Sequence, residues 1–305
     1  MHLLFLLVLP AVNALSLGTK PSCADTLRGL FTGPVSIDSV VAACSTSVVW
    51  DDYALGTPAT GQEAVKELLQ SKFPTGARLE IERLSDGQRS GGFTWHRTND
   101  AGDIGLRGTL FAELDAEGKI SYVAESAEPL LKPGTVTEAL LKAVTASVEK
   151  PPKPEATYTA RTPTSASDLV RYLWEEAYPN GAEPTEALRL FDEDIRYEDF
   201  NYDAPFLGME RVTEFVTAFD IPGVTFEPRR ISEGDRACAF TWVVKVNGEQ
   251  GPSGISFYEV DPASGKVVFI RDIPAPSMKP PPLTSFAAIY DPILRVFDPK
   301  ARATD

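Results

Sequence analysis

Two stretches of the chain, about 78–126 and about 224–272, alternate apolar and polar residues with a period of two. Each follows a stretch in which apolar residues recur every three or four positions. A period of two sets alternate side chains on opposite faces of a strand, and a period near 3.6 lines one face of a helix. The spacing predicts strands over 78–84, 91–98, 106–115 and 119–126, and again over 224–231, 237–246, 253–261 and 266–272. Gly87, Gly118, Gly234 and Gly265 mark the tight turns between them. Upstream, Leu27, Leu30 and Phe31 predict a helix from Asp25, and Val40, Val41 and Cys44 a second. In the other half Ser167 is the predicted cap of a helix carrying Leu169, Val170, Leu173, Trp174 and Ala177, and Pro184 opens a short one with Leu188, Leu190 and Phe191. A β-branched and aromatic strand follows at 47–53 or 194–200. Gly61 or Gly208 then introduces a helix that turns Val65, Leu68 and Leu69, or Val212, Phe215 and Val216, inward. Helices followed by a strand meander predict an α+β fold, built twice as a cone-shaped barrel with helices on a curled antiparallel sheet.

The two halves also match residue by residue. Phe93-Thr94-Trp95 returns 147 positions later as Phe240-Thr241-Trp242. At the same shift Asp52, Gly61, Glu63, Val65, Glu67, Glu80, Arg83, Ser85, Gly87 and Arg89 meet identical residues at 199, 208, 210, 212, 214, 227, 230, 232, 234 and 236. A period this long indicates duplicated domains and not a solenoid. The expected division is a first domain at 25–148 ending in a helix over 136–148, a Pro-rich linker at 149–166, a second domain at 167–282, and a C-terminal helix and tail at 283–305. Ahead of them, residues 3–12 form an apolar run too short to span a bilayer, with small residues after it, which predicts a signal peptide over 1–14. Residues 15–24 begin a Ser/Thr-rich, acid-poor stretch with the bias of a transit peptide or a flexible lead-in. A signal followed by a transit segment points to a plastid bounded by extra membranes; a secreted or secretory-lumen protein is the alternative.

A net charge of −14 disfavours nucleic acid, whose affinity for proteins is carried by lysine and arginine on phosphates. Cys23, Cys44 and Cys238 are odd in number and widely spaced, which predicts free thiols and no disulfide framework or Cys-X-X-Cys site. His96 is the one histidine after the signal segment, so no zinc site is expected. Phosphate-loop, dinucleotide and nucleophile-elbow motifs are absent from the sequence, and no cofactor is expected.

The order helix, helix, strand, helix and four strands, with Trp50-Asp51-Asp52-Tyr53 or Tyr197-Glu198-Asp199-Phe200 on the first strand, resembles the SnoaL-like and nuclear transport factor 2-like superfamily. Ala204-Pro205-Phe206-Leu207-Gly208-Met209-Glu210, Gly254-Ile255-Ser256-Phe257-Tyr258, Arg271-Asp272 and Glu128-Pro129-Leu130-Leu131-Lys132-Pro133-Gly134 are similar to stretches of its plant and algal plastid branch. The likeness covers about 25–145 and 165–290. Departures are Val243 for the branch's histidine, Ile255 for its cysteine, and Leu55-Gly56-Thr57-Pro58 where it has Pro-Phe. The resemblance implies a cone that admits small apolar ligands, sheet faces that pair, here within one chain, and enzymes that place carboxylates inside without metal. The superfamily also holds many non-catalytic binding domains.

Candidate chemistry follows from alternation. Trp50 shares a face with Asp52, and Tyr197 with Asp199, while Glu125 and Asp272 hold equivalent places on the last strand. The candidate catalytic residues are Asp52, His96, Glu125, Asp199 and Asp272, since a carboxyl among aromatic rings acquires a raised pKa suited to moving protons. Each carboxylate can equally cap a turn or pair with a cation, and His96 can be an ordinary strand residue. Candidate pocket residues are Trp50, Trp95, Tyr197, Trp242 and Phe257. The sequence favours a non-catalytic plastid protein that binds a small apolar molecule or offers an assembly surface to a plastid complex; a metal-free isomerase, cyclase or hydrolase is the alternative.

Overall fold

A computed structural model describes residues 20–73, 78–98, 104–130, 155–218, 224–246 and 248–276, together with 102, 132 and 134. The expected signal peptide, the helix over 136–148 and the C-terminal helix lie outside the described residues. The first half runs α1 (Cys23–Phe31), β1 (Gly33–Pro34), α2 (Ile37–Ala43), β2 (Cys44–Asp52), β3 (Ala59–Thr60), α3 (Gln62–Lys72), β4 (Arg78–Leu84), β5 (Ser90–Thr98), β6 (Ile104–Leu114) and β7 (Ile120–Ala127). The second runs α4 (Ala166–Arg171), a π-helical turn Tyr172–Ala177, 3-10 turns Tyr178–Asn180 and Pro184–Leu190, β8 (Phe191–Asp199), β9 (Phe206–Leu207), α5 (Gly208–Ala218), β10 (Val224–Ile231), β11 (Ala237–Val246), β12 (Glu249–Val260) and β13 (Val267–Pro274).

The strands form two sheets, ordered β1-β4-β5-β6-β7-β2-β3 and β10-β11-β12-β13-β8-β9. In each, the meander is antiparallel and the first long strand returns to pair in parallel with the last, β2 with β7 and β8 with β13. The α+β expectation therefore holds, with helices on the inner face of each curled sheet. Each unit has its own core: Leu27, Val65, Leu69, Trp50, Phe93 and Trp95 in the first, and Leu169, Tyr172, Val212, Phe240, Trp242 and Ile270 in the second. Fully burying one such side chain stabilises by ~1.5–3 kcal/mol.

Several elements differ from expectation. Cys44 opens β2 instead of ending a helix, because its extended backbone caps α2. The cap of α4 is Ser165, whose hydroxyl accepts from the Asp168 amide; the amide of Ser167 is spent on the Gly234 carbonyl. Pro184 opens a 3-10 turn and not an α-helix. Residues of the expected linker pack on the second unit, where Arg161 forks onto Asp168 and Glu176 and stacks on Tyr172. Lys20 through Ala24 are likewise ordered, with Lys20 bonded to the Ala116 carbonyl and Cys23 buried. The constant shift of 147 also fails on one strand. Trp95 pairs with Gly108 and Trp242 with Gly254, so β6 and β12 correspond at 146.

The outer faces of the two sheets cover each other. Tyr53, Phe111 and Ala124 of one unit cluster with Ala239, Ile255, Phe257 and Phe269 of the other. A Cβ at Gly92 would lie 2.4 Å from that of Ala239, so the central strands need glycine there to approach this closely. Polar contacts around the cluster are reciprocal. Arg83 pairs with Glu259 and stacks on Phe269, and Arg230 pairs with Glu113 and stacks on Tyr122. At one end the backbone amides of Arg89 and Arg236 donate to Glu233 and Asp86, each across to the opposite turn.

Candidate functional site

Both pairs of candidate carboxylates are brought together, because strand pairing sets them in register: Asp52 against Glu125 and Asp199 against Asp272. Their surroundings differ. In the first unit Lys72, the last residue of α3, reaches both, 2.7 Å from Asp52 and 2.6 Å from Glu125. Trp50 donates its indole N–H to Glu125 at 3.2 Å, and Asp52 also accepts from the Ala54 amide. Burial pulls the Lys72 ammonium down, but Glu125 and Asp52 together more than reverse this and hold it above the usual lysine value. Trp50 and Glu125 are each 1% exposed and Trp95 is fully buried, so the two carboxylates lie in a closed interior and share the one positive charge of the partly exposed Lys72.

The second unit has a different arrangement at the equivalent places. Tyr197 donates its hydroxyl to Asp272, Ser256 donates to the other oxygen of the same carboxyl, and Trp242 donates its indole N–H to Ser256 at 2.8 Å. Asp199 accepts from the Asn201 amide at 2.8 Å. Aromatic rings close in: Tyr197 meets Phe215 edge-on at 5.0 Å, Phe206 stacks on Phe215 at 4.3 Å, and Tyr202 stands against both. Neither carboxyl forms an ion pair among the described residues. Burial, with Asp272 adding repulsion, pushes Asp199 up to about 7. Burial pushes Asp272 up to about 6 against the lowering effect of Ser256 and Tyr197. Tyr197 and Asp272 are only half-buried, unlike Trp50 and Glu125. At pH 7 the pair Asp199 and Asp272 can hold a proton, give a hydrogen bond to a ligand oxygen, or exchange a proton with a bound molecule.

The remaining candidates lie elsewhere. His96 takes the outer face of β5, where Nδ1 is 3.0 Å from Glu82, and it does not meet Asp52 or Glu125. Phe257 is a correction: it packs between the sheets and not in a pocket, because strand alternation turns it away from Ser256 and Asp272. Trp95 and Trp242 do face the interiors, each against the glycine opposite. Sequence reasoning passed over Lys72 and Ser256. The signal for Lys72 was its spacing from Leu69 and Val65, one turn and two turns back on the buried face of α3. Among the described residues no group of His, Cys, Asp and Glu is arranged to hold a metal ion, and no helix is long and apolar enough to cross a membrane.

No curated protein matches the chain. Solved structures similar to it include a candidate ketosteroid isomerase from Kribbella flavida, 24% identical over 38% of this chain and 82% of that one, TM-score 0.32. Another is a nuclear transport factor 2-like protein of unknown function from Burkholderia xenovorans, 17% identical over 39% of this chain and 88% of that one, TM-score 0.32. A third is a Mycobacterium tuberculosis protein in complex with estradiol-17beta-hemisuccinate, 16% identical over 29% of this chain and 78% of that one, TM-score 0.25. Residues 170–270, within the second unit, match the family model of the SnoaL-like domain.

Proposed function

We propose that the chain is a tandem duplication of SnoaL-like units in which the second cone binds a small apolar ligand without turnover and the first serves as its fixed partner. One contrast supports this reading. Asp52 and Glu125 share the cation of Lys72 in a closed interior, whereas Asp199 and Asp272 line an aromatic interior with no ion pair among the described residues and a proton still to share. A ligand with a broad apolar body and one carbonyl or hydroxyl oxygen fits such a lining, its body on Phe206 and Phe215 and its oxygen toward the carboxyls. The sheet faces that would offer an assembly surface are occupied by each other. The apolar run at 3–12 and the Ser/Thr-rich stretch after it support a plastid location reached through a signal peptide. A second reading, acid–base isomerase or cyclase chemistry, is favoured by one observation: a carboxyl at about 7 is matched to proton transfer at neutral pH.

Native mass spectrometry of the mature protein from its source organism tests both. A stoichiometric apolar molecule that leaves on unfolding, and that is lost from an Asp272→Asn variant, is the expected result. Release of a molecule chemically altered from the one added would favour turnover, and an empty chain that travels in a larger complex would end the ligand reading.

A further inference from the structure

Arg271 and Asp272 are neighbours on β13 and point to opposite faces, as do Glu198 and Asp199 on β8. The inner pair is the candidate site of the second cone. The outer pair forms a buried ion pair at 2.6 Å, and Arg271 is 3% exposed. From there the guanidinium crosses to the first unit, 2.6 Å from Glu82 and 3.3 Å from the Gly108 carbonyl that accepts from it. Glu198 is held on its other oxygen by Arg196 at 2.8 Å, and Glu82 also meets His96. Position 124, the counterpart of Arg271, is alanine, so this bridge has no reciprocal copy, unlike the pairs of Arg83 and Arg230.

We propose that Arg271 is a positioning residue for the second cone, and that Glu82 of the first unit, by holding it, sets the alignment of β8 and β13 on which Asp199 and Asp272 stand. The inference rests on the second cone being the binding site and gives it a controlling contact from outside. The physical ground is that the bridge grips both strands at the residues next to the carboxyls. A buried guanidinium with two carboxylates and a carbonyl has few alternative places to settle, so loss of one arm lets the strand pair shift.

The test uses the full chain with Glu82→Gln, which keeps the Arg271–Glu198 pair and removes the charge from the first unit's side. Arg230→Gln is the comparison, because it weakens the same interface through Glu113 and Tyr122 without touching β8 or β13. Carboxyl carbon-13 titration of Asp199 and Asp272 reads positioning directly, and the affinity of an apolar dye, anilinonaphthalene sulfonate, reads the cone. The expected result is a displaced titration of both carboxyls and binding about fivefold weaker in Glu82→Gln, with Arg230→Gln close to the parent in both. Unchanged titrations in Glu82→Gln, or equal changes in the two variants, would overturn the proposal. A parent chain that does not take the dye counts against the binding reading alone, since the titrations still decide the positioning.

Discussion

Lys72 stands 2.6 Å from Glu125, and the position 147 residues after Lys72 is Phe219, so the cation shared by the first pair of carboxylates has no counterpart in the sequence of the second. Lys72→Met would leave Asp52 and Glu125 buried without a counter-charge. Removing one partner of a buried cluster costs about 3–5 kcal/mol, and urea denaturation at pH 7 should show a loss of that order. The folded-state pKa of Lys72 is raised, so its contribution is fully present below the unfolded lysine value near 10.4 and fades only as pH rises through the folded one. Parental stability should therefore carry no Lys72-linked slope between pH 5 and 8, on the order of that range.

Asp199 and Asp272 carry a slope of the same sign as Lys72, but at lower pH. Their folded pKa values, about 7 and about 6, lie above the unfolded value, so the folded chain binds more protons and stability falls as pH rises between about 4 and about 7. Asp199→Asn should remove most of that slope and stabilise the chain at pH 8 by on the order of 2–4 kcal/mol. Denaturation midpoints of parent and variant across this window check it; parallel pH profiles would refute it.

A Cβ at Gly108 would lie 2.3 Å from the Trp95 ring and 2.8 Å from the Ser126 carbonyl, and one at Gly254 would lie 2.2 Å from the Trp242 ring. Both alanine variants should destabilise by about 1–3 kcal/mol through overpacking. Gly108→Ala should cost more, because its ring is fully enclosed and a backbone atom also blocks the way. Paired thermal melts decide the order.

Across the interface, Arg83→Gln with Glu259→Gln, and Arg230→Gln with Glu113→Gln, form two double-mutant cycles. These pairs are partly exposed, so each coupling should be no more than about 1 kcal/mol and should shrink in high salt. Similar values from the two cycles are expected from their reciprocal geometry, and a large difference would show that the two contacts are not equivalent.

Alternation of apolar residues and the glycines at 61 and 208 made the strands and their order along the chain legible. They also put Trp50 and Asp52, and Tyr197 and Asp199, on shared faces, because residues two apart on a strand point the same way; pairing of β2 with β7 and of β8 with β13 then set Glu125 and Asp272 beside the two aspartates. Boundaries were less legible. The cap at Ser165 depends on which hydroxyl meets an amide, and the one-residue slip between β6 and β12 is absorbed in turns whose lengths differ.

What the chain's own pattern determined was local: which residues extend, which coil, and which side chains share a face. Only the tertiary structure decided which face is inside, sending Phe257 to the sheet interface, His96 to Glu82 on the outer face of β5 and Tyr197 to the cone. It also decided the electrostatics. Whether a buried carboxyl is neutralised or keeps a proton depends on a charge contributed by a distant element, as Lys72 does 53 positions away from Glu125. Such distances are set by packing between elements, and periodicity along one element carries no record of them.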